Sequence, residues 1–375
     1  MRARRVITVV GCHAGGEIGN VVTGGVLPPP GATVFEQMQA LRRDGDGLRR
    51  LLLREPRGSV ACHANLIVPS TRPDCAAGFI IMEPTEYPPM SGSNTICTAT
   101  VLLETGMVAM HEPITEFGIE TPAGLIRVYA ECKNGCCERV TFGNVPAYVV
   151  GLDLPLELPG WGELHVDVAW GGAFFAFVKA SDFDLEIVPD QAAQLAELGS
   201  RITAAAAAQI PAQHHLRSDL HTITFTTFTA PPRAGGDGRN TTVVSPGRLD
   251  RSPCGTATSA RLAVLHARGE LEVGQTFVHE SIISSKFVAR IEGLTEMGPA
   301  RAVRPSISGR AWLTGTQQLG RDRRDPLGAG FAVADTWRGS NPDWTIDVAA
   351  APDDSVLGSR QHLDLAVLST EAEGQ

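Results

Sequence analysis

Apolar positions recur along the chain in short blocks, some with the two-residue period of a strand and some with the longer period of a helix. Val6-Ile7-Thr8-Val9-Val10 begins the series as a first strand. Thr33-Val34-Phe35-Glu36 has the capping-box form, a hydroxyl three residues ahead of a carboxylate, and predicts a helix to residue 43. Gly78-Phe79-Ile80-Ile81-Met82 predicts a buried strand. Residues 125–130 and 139–142 flank Lys133-Asn134-Gly135, and the Asn-Gly pair predicts a hairpin. Residues 190–209 put Leu195, Leu198 and Ile202 on one helical face, with Asp190 after Pro189 as the expected cap. Residues 221–229 alternate as a strand does, and 231–240 read as a loop by composition. Past residue 339 the pattern fades. Residues 340–375 are rich in small, acidic and polar side chains and are expected to form a loosely ordered extension.

Within this alternation lies a weak internal repeat. Met90-Ser91-Gly92-Ser93-Asn94-Thr95 precedes a helical stretch that stops at Gly106. Pro253-Cys254-Gly255-Thr256-Ala257-Thr258 precedes one that stops at Gly269, and the interval from Ser91 to Gly106 is the same 15 positions as from Cys254 to Gly269. Each copy has a small nucleophilic residue, a glycine, hydroxyl residues, a helix and a glycine stop. A duplicated fold would set the two helix starts on opposite sides of one cleft.

Composition narrows the function classes. The 375 residues exceed one simple core and fit two lobes; 43% are hydrophobic and 19% charged, as in soluble globular chains. A formal net charge of −9 with no dense Lys/Arg block argues against nucleic acid or anionic membranes as partners. No apolar run reaches the roughly 18 residues of a membrane span. The N-terminal apolar stretch is too short for a secretory signal, so a cytoplasmic protein is expected. Eight sparse cysteines do not read as a disulfide framework.

The two helix starts carry the candidate chemistry. A helix N-terminus offers unpaired N–H groups and the positive end of a dipole, a ready site for a carboxylate. Gly255 lets a ligand approach the backbone closely. Cys254 stands just ahead of that helix, where the dipole is expected to favour its thiolate, and such a thiol is a competent acid or base for a carbon acid.

These residues also carry a resemblance. Asp250-Arg251-Ser252-Pro253-Cys254-Gly255-Thr256-Ala257-Thr258-Ser259-Ala260 resembles the second catalytic motif of the proline racemase family, which includes proline racemases, 4-hydroxyproline 2-epimerases and trans-3-hydroxyproline dehydratases. Met90-Ser91-Gly92-Ser93-Asn94-Thr95 is similar to its first motif. Cys12-His13-Ala14-Gly15-Gly16-Glu17, Glu55-Pro56-Arg57-Gly58, Thr121-Pro122-Ala123-Gly124 and Trp170-Gly171-Gly172 extend the similarity across residues 5–333.

The resemblance implies an α/β fold of two pseudo-symmetric lobes, of the diaminopimelate epimerase type, with the site between them. Residues 1–147 with about 303–334 would form the first lobe and 148–302 the second. It implies a cofactor-independent enzyme with no metal, acting on a small imino acid, and a homodimer is compatible with it. Ser91 and Cys254 would exchange the α-proton on opposite faces. Gly92, Ser93, Gly255 and Thr256 would contact the carboxylate, Asp250 the ring nitrogen, and His221 the substrate. The family's racemases carry cysteine where this chain has Ser91 and usually histidine where it has Ser93. A serine hydroxyl is a much weaker acid than a thiol, which speaks against symmetric racemisation of proline. One-thiol dehydration of trans-3-hydroxy-L-proline, with Ser91 or a water assisting the departing hydroxyl, ranks ahead of 4-hydroxyproline epimerisation. Both rank ahead of proline racemisation.

Other readings weigh less. Cys132, Cys136 and Cys137 flank the Asn-Gly turn with no fourth ligand in view, against a zinc site. Ser91 lacks a G-x-S-x-G elbow, against a hydrolase, and nucleotide-binding glycine motifs are absent. A binding protein that lost turnover is the non-enzymatic alternative.

Overall fold

The computed structural model describes residues 6–337 apart from Gly45 and Arg323. The extension expected at 340–375 lies outside the described residues. The fold is mixed α/β, as expected, and is built on two runs of strands with one pairing plan.

The first run is Ala311–Gly320, Val6–Ala14, Glu17–Gly24, Cys62–Val68, Ala77–Met82, Ile114–Thr121, Gly124–Lys133 and Cys136–Gly143. The second is Tyr148–Leu158, Gly162–Trp170, Phe174–Lys179, Phe225–Ala230, Gly238–Val244, Thr276–Glu280, Lys286–Met297 and Ala300–Gly309. Along both, successive neighbours pair antiparallel, antiparallel, parallel, antiparallel, parallel, antiparallel, antiparallel. The shared order is what a duplicated unit produces. The chain's late strand Ala311–Gly320 fills the first position of the first run. The last strands of the two runs, Cys136–Gly143 and Ala300–Gly309, pair with each other and join them.

In each run one helix fills the crossover between the fifth and sixth strands, which are parallel and cannot be joined by a tight turn. These are Gly92–Glu104 and Gly255–Ala267. Both stop at glycines with left-handed backbone, Gly106 at φ 72° and Gly269 at φ 73°, as the repeat predicts. All of Gly92–Glu104 except Glu104 is buried, so this helix is enclosed rather than amphipathic. It packs among Val10, Phe79, Ile119, Val140 and Ile307. Buried Ala257, Ala260 and Val264 of the second helix pack with Phe175 and Phe177.

Local signals account for several other elements. Thr33 Oγ1 accepts from Glu36 N at 3.1 Å and caps Val34–Arg43. Lys133 opposes Cys136 across Asn134 (φ 54°) and Gly135 (φ 72°), a primed two-residue turn. Cys132 and Cys137 oppose each other in that hairpin, buried, while Cys136 is exposed. Two expectations need correction. Asp190 lies inside a 3-10 turn, Pro189–Gln191, and the following helix Ala192–Gln209 starts from Gln191 with no side-chain cap. The strand expected at 221–229 is Phe225–Ala230, because its partner strand Phe174–Lys179 first meets it at Phe175 opposite Phe225. Among the described residues, no helix is long and apolar enough to cross a membrane.

Candidate active site

The two crossover helices meet tip to tip. A Cβ on Gly92 would lie 2.9 Å from Gly255 Cα, and a Cβ on Gly255 would lie 2.9 Å from Gly92 Cα. Ser91 and Cys254 are the residues immediately ahead of these glycines, so they flank one contact point. The first intrahelical bonds run from Thr95 N to Ser91 O (3.0 Å) and from Thr258 N to Cys254 O (2.8 Å). The amides of Gly92, Ser93, Gly255 and Thr256 therefore precede the helical ladder and point out of the two tips.

The second motif is held by its own side chains. Asp250 N bonds Thr242 O at 2.9 Å, which anchors the turn to Gly238–Val244. Asp250 Oδ1 accepts from Ser252 N (2.8 Å) and Ser252 Oγ (2.9 Å), and Ser252 Oγ accepts from Cys254 N (3.1 Å). Pro253 O accepts from Asn240 Nδ2 (2.9 Å) and Thr258 Oγ1 (3.1 Å). This cradle holds Cys254 at φ 60° and ψ 111°, a backbone region that costs a non-glycine residue about 1–3 kcal/mol. Ser91, its counterpart, has ordinary extended backbone at φ −150° and ψ 127°. The strain is confined to the cysteine.

Cys254 is 8% exposed, and its Sγ lies 3.5 Å from Thr256 Oγ1. Burial raises its thiol above the ordinary range, and the nearby Asp250 raises it further; the Thr256 hydroxyl and the Ala257 amide pull the other way. The helix start does not leave a thiolate here, contrary to expectation, because desolvation and a neighbouring carboxylate outweigh the tip of the helix. Asp250 is itself raised, by burial and by Glu17, against the pull of Arg248.

On the Ser91 side lies a buried polar chain. Asn94 Nδ2 donates to Ser91 Oγ at 2.9 Å and lies 3.0 Å from His63 Nδ1, while Asn94 Oδ1 accepts from Asn65 Nδ2 at 2.8 Å. His63 Nε2 is 3.4 Å from Glu17 Oε1, and His63 Nδ1 is 3.7 Å from Glu83 Oε1. Arg248 Nη2 lies 2.6 Å from Glu17 Oε1 and also abuts His63 Nε2. Glu17 Oε2 accepts from Arg251 N at 2.8 Å and so ties this chain to the Cys254 turn. Burial would raise Glu17, but Arg248 holds it below the usual carboxylate range. Burial, reinforced by Arg248, lowers His63 to about 3, so its imidazole is neutral. Burial and the adjacent Glu86 push Glu83 up to about 8.

The expected site residues thus separate into groups. Ser91, Gly92, Ser93, Gly255, Thr256 and Cys254 gather at the two tips, with Asp250 one hydrogen bond beyond Ser252. His221 is exposed, and among the described residues no hydrogen bond joins it to this group. Sequence reasoning did not name Glu17, Glu83, Asn94 or Arg248 as groups of this site. Glu17 and Asn94 stood inside quoted motifs. Glu83 and Arg248 carried no signal beyond polar character next to apolar strands.

A family model described as proline racemase matches residues 9–332. A hydroxyproline epimerase from Agrobacterium vitis, solved with bound trans-4-hydroxy-L-proline, is 40% identical with a TM-score of 0.84, over 90% of this chain and 97% of that one. A probable proline racemase from Agrobacterium radiobacter, solved with bound carbonate, is 40% identical with a TM-score of 0.83, over 88% of this chain and 98% of that one. A PhzF-family phenazine biosynthesis protein from Bacillus anthracis is 10% identical with a TM-score of 0.52, over 84% of this chain and 99% of that one. At that identity the likeness is one of fold alone.

Proposed function

Since the chain belongs to the proline racemase family, we propose that it inverts C2 of a 4-hydroxyproline, with Cys254 and Ser91 as the two proton-exchanging groups. The observation that carries this reading is the hydrogen bond from Asn94 to Ser91 at the glycine contact with the Cys254 helix. It supports an active second face, where the sequence alone argued for one-thiol chemistry. The epimerase neighbour that holds trans-4-hydroxy-L-proline supports the substrate class.

The substrate's charged ring nitrogen pairs with Asp250. Its carboxylate lies against the outward amides of Gly92, Ser93, Gly255 and Thr256. Neutralising Asp250 removes one of the two causes that keep the Cys254 proton in place, so binding itself activates the thiol. On binding, Cys254 gives up its own proton to solvent; the thiolate then takes the α-proton, the electron pair spreads into the carboxylate, and the helix-tip amides stabilise the added charge. Ser91 delivers a proton to the other face, and the alkoxide left behind is stabilised by the Asn94 amide. The reverse direction exchanges the roles.

A second reading is dehydration of trans-3-hydroxy-L-proline, favoured by the presence of a single thiol. In that substrate the 3-hydroxyl is trans to the carboxylate and therefore on the ring face of the α-hydrogen. A base on that face can take the α-proton and return it to the departing hydroxide, so that water leaves and an enamine forms, which isomerises to a cyclic imine. Ser91 has no required part in that step.

Proton NMR in deuterated water tests both readings. With trans-4-hydroxy-L-proline, the α-proton signal should vanish as the C2 epimer accumulates. Imine formation from the 3-hydroxy isomer without inversion of the 4-hydroxy isomer would promote the second reading. No exchange with either hydroxyproline would sink both.

A further inference from the structure

Building on the two-face reading above, we propose that His63, acting through Asn94, is a positioning residue that sets the direction of the hydrogen bond at Ser91. Asn94 is fully engaged: its amide nitrogen serves Ser91 Oγ and His63 Nδ1, and its oxygen serves Asn65 Nδ2. His63 and Asn65 are buried, Ser91 is half-buried, and Asn94 itself is fully enclosed. With the amide in this sense, Ser91 Oγ accepts a hydrogen bond, and its own hydrogen is left for the substrate. Ser91 is then a proton donor.

This sense requires His63 Nδ1 to be the accepting nitrogen. The imidazole proton then sits on Nε2, 3.4 Å from Glu17 Oε1, and Arg248, a donor only, must draw back from Nε2 toward Glu17. The other neutral tautomer turns the chain round. Arg248, which abuts Nε2, donates to it, and the proton moves to Nδ1. Asn94 must then present its oxygen to Nδ1, and the Ser91 hydroxyl donates to that same oxygen. The turned Asn94 nitrogen faces Asn65 Nδ2, so Asn65 turns with it: its Oδ1, which has no hydrogen-bond partner among the described residues, gains one, and its nitrogen gives up the 3.4 Å contact with Asn20 O. In this sense the Ser91 lone pairs face the substrate, and Ser91 is a proton acceptor. One imidazole tautomer suits each of the two roles that reversible inversion demands of Ser91. Arg248 and Glu17, both buried and paired at 2.6 Å, offer His63 Nε2 a donor and an acceptor side by side. Burial disfavours the charged imidazolium, which would leave Nδ1 no accepting state.

The test uses His63→Gln with two readouts from the same enzyme: inversion of C2, and α-deuterium exchange with retained configuration in the epimer whose hydrogen faces Cys254. Proton transfer by one group is worth about 10²–10⁴-fold, and losing its positioning should lower kcat for inversion about tenfold or more. KM and the retained-configuration exchange should stay within about threefold, because neither needs the Ser91 face. Ser91→Cys added to His63→Gln should recover inversion, since a thiol ionises without this support. Asn94→Leu should repeat the split between the two readouts. Unchanged inversion in His63→Gln, a parallel fall of both readouts in both variants, or no recovery by Ser91→Cys would overturn the proposal. Absence of inversion in the unmodified enzyme would instead strike at the epimerase reading beneath it.

Discussion

Gly92 and Gly255 face each other so closely that a methyl group on either would come within 2.9 Å of the other's α-carbon. Only two glycines let the helix tips converge, and the convergence brings Ser91 and Cys254 to one point. Gly255→Ala is therefore expected to act against its helix propensity. Alanine gains about 1 kcal/mol over glycine inside a helix. Backbone pressed on backbone cannot relax by a rotamer change, and overpacking costs about 1–3 kcal/mol. The net effect should be a lower melting temperature together with a loss of inversion of about tenfold or more, since small displacements of reacting groups are costly. A variant as active as the parent would show that the tips need not touch.

Ser91 and Cys254 are related by the duplication but differ in chemistry. Ser91→Cys places thiols on both faces and should raise the inversion rate about tenfold or more, and extend it to proline, because a thiol is far easier to ionise than an alcohol. Ser91→Ala should abolish inversion while retaining α-exchange of one epimer and any dehydration of trans-3-hydroxy-L-proline. Steady-state assays with each epimer check both variants; a Ser91→Ala enzyme that still inverts C2 would remove Ser91 from the proton path.

Much of this was legible in the sequence for a physical reason. The equal 15-residue intervals from Ser91 to Gly106 and from Cys254 to Gly269 are local. Helix starts, glycine stops and the Asn134-Gly135 turn are set by backbone preferences within a few residues. The duplicated strand order was less visible, because its first strand, Ala311–Gly320, comes from the far end of the chain. The joining of Glu17, His63 and Arg248 into one group was not legible. Its members are separated by up to 231 positions, since 248 − 17 = 231, and only pairing of Glu17–Gly24 with Cys62–Val68 brings the first two together. The Cys254 thiol went the opposite way from the dipole argument. A helix start can be read from sequence, whereas the burial of a side chain beside Asp250 cannot.

Cys254→Ala should abolish α-deuterium exchange of the epimer whose hydrogen faces Cys254, because no other thiol flanks the helix tips. The same variant relieves nothing of the φ 60° backbone, which alanine occupies no more easily than cysteine, so stability should change little beyond the lost sulfur contacts. Cys254→Gly separates the two effects, as glycine accepts that backbone freely. It should be equally inactive yet less strained at this residue than Cys254→Ala. Residual exchange of that epimer in either variant, measured by NMR in deuterated water, would remove Cys254 from the proton path.

Glu83 offers a test by pH. Its side chain is 14% exposed, and burial beside Glu86 raises its carboxyl from 4.5 to about 8. Between these values the unfolded chain has lost this proton while the folded chain keeps it. The folded state thus binds more protons, and the contribution of Glu83 to stability falls as pH rises from about 4.5 to 8, by at most about 1.4 kcal/mol per pH unit. Above the folded value both states are ionised and the contribution no longer changes. Glu83→Gln removes this titration and keeps the shape. The stability of Glu83→Gln relative to the parent should therefore grow steadily from pH 5 to pH 8, as read by denaturant unfolding at each pH. Taking the difference between the two proteins cancels the opposite trends of His63 and Glu17, which both share. A difference that is flat across this range would mean that Glu83 is already ionised in the folded protein, with a cation or ordered water that offsets its burial.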